Sequence, residues 1–308
     1  MKVSVIGGTG FVGSHLVERL LADGHVPHLL VRPGSGSKVV QPEQCRLFEG
    51  DVTDQAALEA CLAGCDAVVY LIGILREHPD RGITFEELQF RGVERTIAAA
   101  HRIGVQRFLL MSANGVEAQG TPYQRTKHRA EEAIKATELD WTIFRPSVIF
   151  GEPHGRMEFC SQLKHDIIDS PLPVPLFFDG LAIPEAGRFQ LAPVSVQDVA
   201  AAFSRALTEP AAIGATYPLC GPDVLTWKEI LSTIAAASGK TKLMLPAPAA
   251  VIKVVAGLLD RWPWFPITRD QIKMLLEGNV CGSSAAFDQL GIVPQRFDAA
   301  ALGYLKSD

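Results

Sequence analysis

The sequence has few cysteines, few tyrosines and tryptophans, and no pair of histidines four residues apart. Six cysteines in 308 residues are too few for a disulfide scaffold, so we expect six reduced thiols, which is typical of a cytoplasmic protein. Cys61 and Cys65 stand four apart, but no second Cys or His pair lies nearby to complete a zinc site. The sequence therefore predicts no metal site.

The chain also lacks a large charge excess and a membrane-length apolar run. A net charge of −5 argues against a general phosphate-binding surface, so we expect no nucleic-acid partner. No apolar run approaches the roughly 18–20 residues of a transmembrane span. Residues 2–6 have the pattern of a buried strand, so we expect no signal peptide.

Strand-like and helix-like segments alternate along the first half of the chain. Short apolar runs such as "KVSVIG", "HVPHLLVR" and "DAVVYLIG" are separated by segments with helical spacing such as "FVGSHLVERLLADG". This alternation predicts an α/β fold with a doubly wound parallel sheet, covered by helices on both faces. Residues 165–193 are rich in proline and bulky apolar residues, which predicts an irregular loop or lid.

A change of pattern after Gly151 predicts two domains. We expect a dinucleotide-binding domain at residues 1–152, rejoined by about 190–208. A smaller, discontinuous C-terminal domain at 153–308 would carry the substrate or a lid. We assign a dinucleotide to the first domain because of the turn between its first predicted strand and its first predicted helix.

Three glycines stand between the first predicted strand and the first predicted helix. Gly7, Gly10 and Gly13 form a G-x-x-G-x-x-G pattern in "VIGGTGFVGSHL". Glycines at this place let backbone N–H groups approach a pyrophosphate, and the helix N-terminus adds partial positive charge. A tight turn without a ligand is the alternative. The candidate phosphate-binding residues are Gly7, Thr9, Gly10, Phe11, Val12 and Gly13.

Arg32 distinguishes between the two nicotinamide dinucleotides. An NAD site places an acidic residue about 20 residues beyond the glycine turn, but no acid lies between Asp23 and Glu43. Arg32 stands at the end of the second predicted strand, where a guanidinium would bind a 2′-phosphate. The sequence therefore favours NADP(H) over NAD(H), with a solvated surface arginine as the alternative.

Tyr123 and Lys127 lie four apart in a predicted helix and share one face of it. An ammonium near a phenol lowers its pKa, which would make Tyr123 an acid/base for hydride transfer. Two neighbours on an exposed helix face are the alternative for the pair.

Five segments resemble the short-chain dehydrogenase/reductase superfamily, in its extended and atypical branches. They are "GGTGFVG", "GDVTD", "YLIG", "PYQRTKHRAE" and "FRPSVIFG". The fourth matches the superfamily's P-Y-x-x-S-K-x-x-x-E pattern with Thr126 in place of serine. The resemblance implies a Rossmann fold. Three further segments, "RPSVIFGEPHG", "LAPVSVQDVAAA" and "ITRDQIKMLLEGNV", resemble more narrowly the nucleotide-binding accessory subunit of respiratory complex I and its bacterial relatives.

The resemblance also implies roles for single residues. Asp51 would contact the adenine and Val52 would lie against its ring. The strand end at Leu71, Ile72 and Gly73 would pass beside the cofactor ribose, and Lys127 would hold the ribose hydroxyls. The backbone of Pro146, Ser147 and Val148 would approach the nicotinamide carboxamide.

The resemblance also implies a catalytic role for Ser112. Active relatives place a Ser or Thr at the end of the fifth strand, where it binds the substrate oxygen, and Ser112 is the candidate here, eleven residues before Tyr123. Ser112 is equally well explained as a strand-end capping group. A register that turns Ala113 or Asn114 towards the nicotinamide is a further alternative.

The leading functional hypothesis is an NADP(H)-binding protein that passes a hydride to or from a carbonyl-type carbon of an unidentified small molecule. The first alternative is a non-catalytic nucleotide-binding subunit with a structural or assembly role in a respiratory-type complex. The second is a sugar-nucleotide epimerase or dehydratase, which the apolar, proline-rich composition after residue 152 disfavours.

Residues 247–266 contain an apolar run followed by Trp262, Trp264 and Phe265. This pattern is compatible with a peripheral membrane contact or with a docking surface for a protein complex. A helix that roofs the substrate cleft is the alternative. We therefore expect a cytoplasmic protein, with peripheral membrane association as a possibility that this segment raises.

Overall fold

The computed structural model describes residues 1–178, 183–248, 269–282 and 285–306, which form two compact units. The first unit comprises residues 1–146, 196–219 and 285–293. The second comprises the described residues of 147–195, 220–284 and 294–308. The chain therefore leaves the first unit after Pro146 and returns to it twice.

The strands are short, and those of the first unit are mostly buried. In chain order the strands are β1 (Lys2–Ile6), β2 (Val26–Val31), β3 (Arg46–Glu49), β4 (Ala67–Tyr70), β5 (Arg107–Met111), β6 (Asp140–Pro146), β7 (Ile149–Phe150), β8 (Val174–Phe178), β9 (Gln190–Leu191), β10 (Val194–Ser195), β11 (Ala215–Leu219), β12 (Leu225–Thr226) and β13 (Met244–Pro248).

Seven parallel strands form the sheet of the first unit, in the order β11-β6-β5-β4-β1-β2-β3. All four residues of β4 and the last four of β1 are buried, as expected for strands covered on both faces. The strand order reverses between β1 and β4, so the carboxyl ends of these strands border the crevice where ligands of such sheets bind. The predicted doubly wound α/β fold is confirmed.

The α-helices of the described ranges are 5 to 14 residues long. They are α1 (Phe11–Ala22), α2 (Gln55–Leu62), α3 (Gly92–Ile103), α4 (Pro122–Lys135), α5 (Phe159–Leu163), α6 (Val196–Ala206), α7 (Trp227–Ala237), α8 (Arg269–Glu277) and α9 (Ala285–Gln289).

Helix ends show the expected local chemistry. Thr226 and Glu229 form a capping box at the start of α7. A second capping box, formed by Thr121 and Gln124, begins α4. A π-helical turn (Glu86–Arg91) precedes α3, which ends at Gly104 in the left-handed conformation.

Among its described residues, the second unit contains three short strand pairs and its own core. β7 pairs with β10 and β8 with β13 in parallel, whereas β9 and β12 are antiparallel. Its core includes the fully buried Trp227 and Phe150. Residues 165–193, predicted to be irregular, contain β8 and β9. The irregular prediction is wrong there because period-based reasoning does not register strands this short and proline-rich.

A disulfide in the second unit corrects the expectation of six reduced thiols. Cys220 and Cys281 are bonded, although 61 residues separate them in the sequence. The other four cysteines are free thiols. Sequence spacing gave no signal for the bond, because only the fold brings the segment after β11 next to the segment after α8.

Two sequence-based expectations concern the membrane, namely the absence of a spanning segment and a peripheral contact through residues 247–266. No helix in the described ranges is both long enough and apolar enough to cross a bilayer. The candidate contact segment 247–266 lies outside the described residues, except for Ala247 and Pro248 at the end of β13.

Candidate functional site

The turn between β1 and α1 is built for close backbone approach. Gly7 has a φ of +100°, which L side chains rarely adopt. A Cβ on Gly13 would lie 2.2 Å from the Gly7 carbonyl oxygen and 2.7 Å from Gly8 Cα, so the first turn of α1 packs directly on the glycine turn. The Gly10 N–H donates to the Gly7 carbonyl at 3.0 Å, and Gly10 is the N-cap of α1.

The start of α1 fits an anionic ligand. The first-turn N–H groups of Phe11, Val12 and Gly13 have no acceptor within the helix, and the helix dipole adds positive charge there. Thr9 is half-buried in the turn, and Gly10 is exposed. The residues present therefore fit a pyrophosphate, the group that the sequence predicted for this turn.

Arg32 and Asp51 follow neighbouring strands of the sheet. Arg32 is exposed at the end of β2, and Asp51 lies two residues after β3. The Asp51 carboxylate accepts from the Thr53 N–H at 2.7 Å and from its hydroxyl at 2.5 Å. These bonds lower the pKa of Asp51, and the charge of Arg32 contributes in the same direction. Val52, predicted to lie against adenine, is 2% exposed and packs in the core.

The segment after β4 lies against the glycine turn. A Cβ on Gly7 would be 3.2 Å from Ile72 Cγ1, and the Leu71 N–H donates to the Ile6 carbonyl at 2.9 Å. Leu71 is buried, Ile72 is half-buried, and Gly73 is exposed. The residues predicted to flank the ribose are thus adjacent to the residues predicted to bind the phosphates.

Lys127 reaches the same place from α4. Its Nζ donates to the Met111 carbonyl at 2.8 Å and lies 3.5 Å from the Ile72 carbonyl. A Cβ on Gly73 would be 3.5 Å from this nitrogen. Burial lowers the pKa of Lys127 to about 8, although the nearby Glu131 carboxylate opposes the shift. Lys127 therefore stands at the carboxyl ends of β4 and β5.

Tyr123 differs from the expectation in its ionisation. The sequence argument predicted a lowered pKa, but burial raises the pKa of Tyr123 to about 12. The cause is the loss of solvent around the buried phenol. The Phe85 ring packs edge-to-face on the Tyr123 ring at 5.8 Å between centroids. With this pKa the phenol is protonated at neutral pH, and within the described residues no hydrogen bond engages it.

Ser112 is bonded to a buried carboxylate. The Ser112 hydroxyl donates to the Glu131 carboxylate at 2.5 Å, and Ser112 is only 3% exposed. Arg145 holds the same carboxylate in a two-pronged contact at 2.8 and 2.5 Å. Of the two roles weighed for Ser112, this geometry corresponds to the strand-end bond. The neighbouring Asn114 is half-buried, and its N–H donates to the Pro146 carbonyl at 2.9 Å.

The three residues predicted to approach the carboxamide divide between the units. Pro146 ends β6 in the first unit, whereas Ser147 and Val148 belong to the second. There the Ser147 hydroxyl donates to the Asn279 carbonyl at 3.0 Å, and the Val148 carbonyl accepts from the Val194 N–H at 2.9 Å.

Three buried or half-buried polar residues near the candidate site received no role from the sequence. Glu131 and Arg145 form the ion pair described above, and Gln89 is 1% exposed. The sequence could have predicted the place of Glu131, since it stands four residues after Lys127 on the same helix face. No sequence pattern predicts the place of Gln89, because its hydrogen-bond partners lie in other segments.

Comparisons with known proteins agree with this geometry. A family model described as NAD(P)H-binding matches residues 7–166, so the chain belongs to the NAD(P)H-binding family. The 40 kDa subunit of mitochondrial NADH-ubiquinone oxidoreductase from Neurospora crassa is 26% identical, covering 99% of this chain and 78% of the relative. Ceramide reductase from Caulobacter vibrioides is 25% identical, covering 84% of this chain and 78% of the relative.

A solved structure shares the fold over nearly the whole chain. UDP-glucose 4-epimerase from Thermus thermophilus in complex with NAD has a TM-score of 0.71 and 21% identity, covering 99% of this chain and 97% of the epimerase. The resemblance to atypical short-chain dehydrogenases/reductases is therefore confirmed, and the chain is an NAD(P)-binding protein of that fold.

Gly13→Ala tests the glycine turn. The added Cβ would meet backbone atoms at 2.2 and 2.7 Å, so the turn must open and misplace the N–H groups. We expect NAD(P)H affinity to fall by at least roughly tenfold, as for loss of a charge-assisted hydrogen bond. Calorimetric titration measures it. Gly303→Ala, at an exposed glycine with open space around its Cα, is the control and should bind normally. Equal affinities for both variants would contradict the assignment.

The pH dependence of stability tests the burial of Lys127. Its folded pKa of about 8 lies below the roughly 10.4 of an unfolded lysine, so the unfolded chain binds more protons between these values. Stability contributed by this residue should therefore rise with pH across that window. We expect the unfolding free energy of the nucleotide-free wild type, minus that of Lys127→Met, to increase by up to about 3 kcal/mol in urea titrations. A difference that stays flat from pH 8 to 10.5 would contradict the shift.

Proposed function

We propose that this chain is an NADP(H)-dependent oxidoreductase in which Tyr123 is the proton donor to a carbonyl-type substrate. The observation that carries the proposal is the Tyr123 phenol, which is protonated and half-buried and has no hydrogen-bond partner among the described residues. It shares a helix face with Lys127, whose ammonium lies beside the segment after β4.

The chain's own residues account for binding of the dinucleotide. The glycine turn and the start of α1 would hold the pyrophosphate, Asp51 would contact the adenosine, and Lys127 with Leu71–Gly73 would hold the nicotinamide ribose. Val52, directly after Asp51, packs in the core. At the end of the first unit, the backbone of Pro146 would approach the carboxamide. When bound, NADP(H) supplies or accepts a hydride at its nicotinamide ring.

The shifted pKa values of Tyr123 and Lys127 determine which of them carries a proton at neutral pH. Tyr123 Oη keeps its proton through neutral pH and gives it to an oxygen that gains negative charge during reduction. Lys127 Nζ is charged below about pH 8, and its charge favours the phenolate left on Tyr123.

The preference for NADP(H) rests on Arg32. An exposed guanidinium stands at the end of β2, and no carboxylate occupies the stretch between Asp23 and Glu43. Asp51 is committed to the Thr53 hydroxyl and N–H, so it is poorly available for a ribose 2′-hydroxyl. A 2′-phosphate would complement the guanidinium.

A second candidate is a nucleotide-binding subunit without turnover. The bond between Ser112 and Glu131 favours it, because the hydroxyl that would orient a substrate is already donated. The relative from Neurospora crassa is a subunit of NADH-ubiquinone oxidoreductase. In this alternative the protein joins a complex, or contacts a membrane peripherally, through residues 247–266 in a cytoplasmic setting.

Arg32→Glu tests the cofactor preference. Reversing this charge should weaken the binding of NADPH by at least roughly tenfold and change the binding of NADH little, since only NADPH carries the 2′-phosphate. Calorimetry with both nucleotides measures the two affinities. Arg81→Glu, at an arginine whose side chain is 73% exposed in another loop, controls for net charge. Equal losses of NADH and NADPH affinity in Arg32→Glu would contradict the assignment.

Tyr123→Phe tests the proton donor. Following NADPH absorbance against a panel of aldehydes and ketones should reveal turnover in the wild type and a loss of about a hundredfold or more in the variant. NADPH affinity should stay unchanged, because the phenol is assigned to the substrate. If the wild type turns over nothing, copurifies with its nucleotide and loses thermal stability when stripped, the second candidate replaces the first.

A further inference from the structure

A buried glutamine joins two sides of the candidate site. Gln89 is 1% exposed and lies in the π-helical turn before α3. Its Nε2 donates to the Ile74 carbonyl at 2.8 Å, and its Oε1 accepts from the Thr126 hydroxyl at 3.1 Å. Ile74 directly follows the segment 71–73, and Thr126 lies in α4. One side chain therefore links the segment after β4 to the helix of Tyr123 and Lys127.

We propose that Gln89 is a positioning residue, which keeps the α4 face of Tyr123 and Lys127 in register with residues 71–74. The proposal rests on the proposed function, because those two residues and that segment would hold the nicotinamide ribose and the substrate. A small shift of α4 along this contact would move the phenol relative to the nucleotide, and such shifts strongly affect reactive geometry.

The chemistry of the link requires an amide. Ile74 offers only a carbonyl, so the amide must turn its Nε2 towards it and donate. The Oε1 then faces Thr126, whose hydroxyl can donate to it. A glutamine side chain does both, whereas a carboxylate would oppose the Ile74 carbonyl. The Thr126 hydroxyl also lies 2.9 Å from the Pro122 carbonyl and 3.0 Å from that of Tyr123. Its single proton is thus shared between the helix and Gln89.

The turn that carries Gln89 is itself anchored to β4 and to Tyr123. The Tyr70 hydroxyl, at the end of β4, donates to the Leu88 carbonyl at 2.5 Å. A Cβ on Gly92 would lie 2.1 Å from that hydroxyl oxygen, so a residue without a side chain is needed there. Phe85 begins the same stretch, and its ring is the one that packs on the ring of Tyr123. Breaks in regular helix of this kind often occur at functional sites.

A purely structural role for Gln89 makes a different prediction. If it only fills the core, its loss would lower stability and leave Tyr123 and the nucleotide affinity as they are. A positioning role requires that both change. The readouts must therefore report on the phenol and on binding, separately from unfolding.

The experiment combines tyrosine NMR with NADPH titration in the full chain. The sequence has four tyrosines, so 13Cζ labelling gives four signals, and Tyr123→Phe identifies the one that matters. Gln89→Met should shift the Tyr123 signal in the nucleotide-free protein. It should also weaken the binding of NADPH by roughly tenfold, the loss expected for one hydrogen-bonded link. Gln55→Met, at a half-buried glutamine that begins α2, should change neither.

Thr126→Val breaks the same link from its other end. It should act in the same direction, and the double variant should be no worse than the stronger single one, because both remove one interaction. Unchanged signals and affinity in Gln89→Met, or additive losses in the double variant, would overturn the proposal. If Gln89→Met does not fold, Thr126→Val decides alone by the same criteria.

Lys127→Met in the same series separates the two proposals. If it leaves NADPH affinity unchanged, the assigned role of Lys127 fails, whatever the Gln89 variants show. If Lys127→Met weakens NADPH binding while Gln89→Met does not, only the positioning role of Gln89 fails. A loss in both, with Gln55→Met unaffected, supports the link.

Discussion

Close backbone contact at the first turn determines how the candidate site is assembled. Gly13 packs so tightly on Gly7 and Gly8 that no side chain fits between them. This contact fixes where α1 begins and therefore where its first N–H groups point. Ile72 then packs on Gly7, and Lys127 reaches the Ile72 carbonyl from α4. The glycine turn and α4 are thus connected through the residue that follows Leu71 after β4.

Burial, more than charge pairing, governs the ionisable groups of α4. Tyr123 and Lys127 lie on one face of the helix, and burial shifts each towards its neutral form. Lys127 keeps much of its charge near neutral pH because Glu131, one turn further along, opposes the shift. Glu131 is in turn satisfied by Arg145 and Ser112. The same network that supports the lysine therefore occupies the serine hydroxyl.

The sequence was sufficient where a feature depends on neighbouring residues. The alternation of strands and helices, the glycine turn and the capping box at Thr226 are local patterns, and the structure contains each. It was insufficient where partners are distant along the chain. The Cys220–Cys281 bond spans 61 residues, and the bond from Thr126 to Gln89 spans 37. The pKa of Tyr123 was predicted with the wrong sign, because spacing along a helix reveals a charged neighbour but not the loss of solvent.

The most direct test is a crystal structure of the protein with NADP+ bound, with the distance from Tyr123 Oη to the nicotinamide C4 as the measured quantity. A substrate carbonyl needs to fit about 3–3.5 Å from the hydride-carrying carbon and within hydrogen-bond reach of the phenol. The account predicts that the pyrophosphate lies on the N–H groups of α1 and that Tyr123 faces an open space beside the nicotinamide. A nucleotide bound away from the glycine turn, or a phenol turned away from the ring with side chains filling that space, would contradict it.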